Sequence, residues 1–99
     1  MAYHRIRDML RKPTPDGTEA AQLNEGPLEI TYERFKSSTS GNRTNAKTQV
    51  IYILSGSMSL TVGAESREVK AGDVWLIAAG EACTFRTTNI EAIALLVTA

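Results

Sequence analysis

Polar and apolar residues alternate most clearly between residues 28 and 33, where Leu28, Ile30 and Tyr32 share one face of an extended segment and Glu29, Thr31 and Glu33 share the other. A period of two is the pattern of a half-buried strand, so PLEITYERF is predicted to be the first long strand. Thr48 to Leu54 is β-prone, with Val50, Ile51, Tyr52 and Ile53 in succession, and Ser55 with Gly56 supplies a predicted turn. SMSLTVG then reads as the second strand of a hairpin, with Met58, Leu60 and Val62 on one face. Residues 65–70 lead into a turn at Ala71, Gly72 and Asp73, and VWLIA, CTFRT and EAIALLVTA complete the series. Gly56, Gly63, Gly72 and Gly80 cut this half into pieces one strand long, which is the rhythm of a small all-β barrel or sandwich.

The flanking segments follow other rules. SSTSGNRTNAK at 37–47 is small and polar and reads as a loop. Residues 1–12 carry Arg5, Arg7, Arg11 and Lys12 against Asp8, and a helical turn would bring Ile6, Met9 and Leu10 together, so a short amphipathic helix is expected there. KPTPDGT, with its prolines and glycine, should end it. The division expected is an N-terminal arm over 1–20, packed on the barrel or on a partner subunit, and a barrel over 21–99.

A chain of 99 residues suits one domain, burying about 65% of the unfolded surface. Eleven basic and eleven acidic residues cancel, which argues against nucleic acid or an anionic membrane as partner. Cys83 is the single cysteine, so no intrachain disulfide forms, and the first residues lack a secretory apolar stretch; a cytosolic location is the expectation. The apolar runs VIYIL and IALLV are far shorter than the ~20 residues of a membrane span.

Residues 37–87 are similar to the two-motif core of the cupin superfamily, and the phrases YILSG and AGDVWLIAAG carry the resemblance. The first cupin motif runs G, five residues, HxH, three or four residues, E, six residues, G. Counted back from Gly56, its glutamate position is Gln49, its histidine positions are Arg43 and Asn45, and its opening glycine is Ser37. The second motif, G, five residues, PxG, two residues, H, three residues, N, starts at Gly72; its proline position is Ala78, its second glycine Gly80, its histidine position Cys83 and its asparagine position Thr87. The resemblance implies a double-stranded β-helix, or jelly-roll, barrel. Family metal sites use imidazoles and a carboxylate, whereas these positions offer a guanidinium, two amides and a thiol, so no metal and no other cofactor is expected.

If that register holds, Asn45, Gln49 and Cys83 face the barrel interior, with Phe85 two residues further along the same face. A few polar groups on an apolar lining make a small-molecule site, and Arg43 at the rim would hold an anionic ligand such as a carboxylate. The expected site is therefore Arg43, Asn45, Gln49, Cys83 and Phe85. Each also has a plainer reading: a solvated Arg43, a Gln49 that satisfies its own amide, and Cys83, Phe85 and Trp75 as core. The function expected is a metal-free small-molecule binder or noncatalytic module. The alternative is a cupin enzyme of isomerase, lyase or dioxygenase type with a rebuilt site, although Glu81, Tyr32 and Tyr52 have no evident orienting partner. VIYIL lacks polar alternation, so both of its faces should be covered, and a homodimer is expected.

Overall fold

In the computed structural model, which describes residues 3–99, the alternating segments become nine strands. They are β1 (Lys12–Pro13), β2 (Glu19–Glu25), β3 (Leu28–Phe35), β4 (Ser40–Thr44), β5 (Gln49–Val62), β6 (Glu65–Lys70), β7 (Val74–Ile77), β8 (Ala82–Arg86) and β9 (Ala92–Thr98). One layer runs β1-β2-β3-β9-β5-β7 and the other β4-β8-β5-β6, all antiparallel. The architecture is the all-β jelly roll that the glycine rhythm and the motif resemblance predict.

The long strand β5 belongs to both layers. Its first half pairs with β9 and β7, and its second half with β6 and β8. The predicted turn at Ser55 and Gly56 is instead a bulge, marked by a register shift between Ile53 and Ser55, where the strand bends from one layer into the other. Gly56 has φ +75°, and a Cβ there would lie 1.9 Å from the Glu91 carbonyl oxygen, so no other residue fits the bend.

Three further expectations are corrected. The polar stretch 37–47 contains β4, whose ladder with β8 needs no apolar signal because only Gly41 and Arg43 of its side face inward against Phe85 and Cys83. The arm forms a single 3₁₀ turn at Ile6–Asp8 rather than an amphipathic helix, and Leu10 is exposed. Its far end is already sheet, since β1 pairs with β2 and β2 begins at Glu19.

The core lies between the layers and includes Phe35, Ile51, Ile53, Met58, Leu60 and Phe85. Phe35 and Phe85 meet edge-to-face at 4.9 Å, a contact worth about 1 kcal/mol beyond burial. Ala92 and Ala94 of β9 are fully buried and stand opposite Phe35 and Glu33, leaving room for those larger side chains. On β3 the inward face is the polar one: Glu33 and Phe35 are buried, while Leu28, Ile30 and Tyr32 face outward. The outer face of VIYIL is likewise open, with Tyr52 and Leu54 exposed and Ile51 and Ile53 buried. Among the described residues no helix is long and apolar enough to cross a membrane.

Gly56→Ala is expected to lower unfolding free energy by at least about 2 kcal/mol in urea denaturation, because it adds left-handed strain to a backbone clash. A change within about 0.5 kcal/mol would show that the bend adapts.

Candidate functional site

The inner face of β4 presents Arg43, and its direct cross-strand partner is Cys83 on β8. From there the guanidinium crosses to the opposite layer. Its Nε donates to Asp16 Oδ2 at 2.7 Å, Nη1 to Glu33 Oε1 at 2.8 Å and Nη2 to Glu33 Oε2 at 2.5 Å. Glu33 is 2% exposed and also accepts a hydrogen bond from the hydroxyl of Thr18, itself buried and bonded to Thr14. Beneath the guanidinium lie the rings of Phe85 and Phe35, 4.9 and 5.4 Å from its central carbon. Burial by itself lowers the affinity of Arg43 for its proton, but the hydrogen bonds and charges of Glu33 and then Asp16 outweigh it and raise the pKa above its ordinary value.

Four of the five expected site residues, Arg43, Asn45, Gln49 and Cys83, line one cavity of about 390 Å³ at the barrel mouth. Gln49 donates from its amide nitrogen to Thr98 Oγ1 at 3.1 Å, and the Asn45 side-chain oxygen caps the Lys47 backbone N–H at 3.0 Å. Phe85 does not join them at the mouth. It lies under Arg43 and Cys83 beside a void of only about 10 Å³, so the interior below the guanidinium is filled by side chains. The expected anionic ligand also meets a closed door: the Arg43 fork is taken up by two carboxylates of the chain itself.

Residues with no motif signal complete the mouth. Glu33, Asp16 and Thr18 are ordinary strand and turn residues in sequence, and only the fold brings them to Arg43. A second, larger cleft of about 650 Å³ adjoins the same mouth, between the arm and the inner face of β2 and β3.

Residues 26–90 match the family model of the EutQ-like cupin domain. The chain belongs to that family. No curated protein matches this cupin. Among solved structures it is similar to a predicted oxalate decarboxylase from Thermotoga maritima, with a TM-score of 0.87, 19% identity and coverage of 98% of this chain and 97% of that one. KdgF from Halomonas sp. superposes with a TM-score of 0.86 at 13% identity, covering 99% of this chain and 93% of that one. The polyketide cyclase RemF from Streptomyces resistomycificus gives 0.82 at 22% identity, covering 99% and 78%. At such identities the likeness establishes the fold alone.

The donor set does not fit the metal that the cupin resemblance implies. Arg43 keeps its proton and its charge and would repel a cation. Burial raises the Cys83 thiol above its ordinary value of 9.0, and the nearby Arg43 charge only partly opposes this, so a thiolate ligand is not at hand near neutrality. Among the described residues no three His, Cys, Asp or Glu side chains converge as ligands.

Arg43→Met is expected to cost about 3 kcal/mol, the low end for breaking a buried pair, because Arg43 keeps 27% of its side-chain surface in water while Glu33 keeps 3%. Arg43→Met combined with Glu33→Leu should recover most of that loss in the same urea titration, and a double variant as unstable as the sum of its parts would contradict the pairing. The Cys83 thiol is held protonated in the fold, so its stabilising share is whole below pH 9.0 and is lost as pH rises through the folded value. Wild-type stability should therefore fall above pH 9.0 more steeply than that of Cys83→Ala, and parallel curves would contradict a raised thiol pKa.

Proposed function

We propose that this cupin is a metal-independent binding module that takes a small molecule at the barrel mouth and works as a homodimer. The observation that supports the first part most strongly is the internal Arg43–Glu33–Asp16 cluster. It supplies a fixed cation where the family motif would gather metal ligands, and it roofs a filled interior, so that a ligand has room only above it. The site proposed is Asn45 and Gln49 at the mouth with Arg43 and Cys83 as its floor. Phe85 supports that floor from below by stacking under Arg43. Of the described carboxylates lining this cavity, Asp16 accepts from Arg43 and Glu81 from the Ala78 backbone N–H, so both are already engaged, which favours binding over catalysis.

The homodimer rests on a separate observation. Across the outer face of the first layer the ladder aligns Leu23, Ile30, Val97, Val50 and Leu76 in one row. A neighbouring row brings Tyr32, Leu95, Tyr52 and Val74 together. Leu76 is 69% exposed and Val74 57% exposed, so the face is apolar and uncovered along the β5–β7 edge. A second copy related by two-fold symmetry would bury the same rows against each other, without needing complementary charge.

Elemental analysis of the purified protein before any chelator is expected to find transition metal well below one atom per chain, and a stoichiometric metal would overturn the metal-independent reading. Light scattering at micromolar concentration should give twice the 10.8 kDa of the chain. Tyr52→Glu combined with Leu76→Glu should yield a folded monomer, whereas a wild-type monomer would refute the dimer.

A further inference from the structure

The cleft between the arm and the β2–β3 ribbon extends the proposed mouth site, and its chemistry narrows the ligand. The ladder sets Asn24 opposite Glu29 and Gln22 opposite Thr31, all on the inner face above Glu33. The side-chain hydrogen bonds on this face are made lower down, by Glu33, Arg43 and Gln49. Among the described residues Gln22, Asn24, Glu29 and Thr31 use none of their hydrogen-bonding capacity on other side chains. Along the edge of this polar ladder the arm, whose β1 pairs with β2 in the same layer, adds Met9, Leu10 and Pro13 to the cleft lining, and Leu10 is 85% exposed, an apolar border beside a hydrogen-bonding surface.

We infer that the cleft takes a neutral polyhydroxylated compound, a sugar or cyclic polyol, with its hydroxyls on the ladder and its C–H groups along the arm; this rests on the mouth-site reading above. A hydroxyl both donates and accepts, and so do the amides of Gln22 and Asn24, while Glu29 accepts strongly and Thr31 does either. Gln49 keeps one amide hydrogen and its carbonyl after bonding Thr98, and adds a further dual partner at the inner end. Charge argues against the other classes. The ionisable lining is Asp16, Glu29 and Glu33 against Lys12 and Arg43, a balance of one negative charge that disfavours an acid. Asp16 and Glu33 are both hydrogen-bonded to Arg43, so Glu29 is the carboxylate of this lining left without a side-chain partner for an amine, and Lys12 lines the same cleft. A volume of about 650 Å³ accommodates one or two sugar rings.

The test uses the full chain and saturation-transfer NMR with three probe sets: glucose, maltose and myo-inositol; citrate and oxalate; and putrescine. Polyols should receive saturation and move the side-chain amide signals of Gln22, Asn24 and Gln49. Gln22→Leu combined with Asn24→Leu should weaken polyol binding by about tenfold, two exposed hydrogen-bonding groups being lost without a change in thermal midpoint. Should the acids or putrescine move these amides while the polyols do not, the ligand class is wrong and the mouth site stands. If no probe of any set moves them, the mouth reading itself falls. Polyol binding that ignores the double variant would place the site elsewhere and overturn the inference.

Discussion

The contact between Arg43 and Glu33 is the constraint around which this barrel is organised. A carboxylate 2% exposed has to be paired, and its partner comes not from a neighbouring strand but from β4, which is hydrogen-bonded to β8 in the opposite layer. One side chain thereby ties the free edge of the second layer to the wall of the first. The alanines of β9 make the space, the two phenylalanines make the floor, and Thr18 and Asp16 satisfy the remaining groups. Because the cluster is complete within the chain, it separates a packed interior from an open polar mouth.

The same arrangement explains an inversion on β3. Alternation puts Leu28, Ile30 and Tyr32 on one face of the strand, and the face that turns to the core is the other, which carries Glu33 and Phe35. A polar inner face is tolerated there because Glu33 is satisfied by Arg43 and Thr18, and Glu29 and Thr31 border the cleft instead of the core. The displaced apolar residues then form the outer rows on which the dimer proposal rests.

Much of the fold was legible in the residues. Gly63, Gly72 and Gly80 mark the junctions from the end of β5 to the start of β8, and the motif register gathers Arg43, Asn45, Gln49 and Cys83, which line one cavity. Three things were not legible, each for a physical reason. Ser55–Gly56 reads locally as a turn, and only the pairing of β5 with both layers reveals a bulge. β4 has no apolar period because its inward positions are a glycine pressed against Phe85 and a charged residue. The partners of Arg43 lie 10 and 27 residues away in sequence, on elements with no motif to link them, so its free fork could not be distinguished from an occupied one.

The Arg43 guanidinium is an internally paired cation held by Asp16 and Glu33, at a position where the cupin motif, in the register read from the sequence, would carry a metal ligand. The most direct measurement is the exchange of its Nε–H with water in arginine-labelled NMR spectra, recorded with and without added Mn²⁺. A resolved Arg43 signal is expected, exchanging far more slowly than those of the surface arginines and not broadened by the ion. An Arg43 signal exchanging like a free side chain, or one that Mn²⁺ broadens together with the amide signals of Gln49 and Cys83, would contradict it.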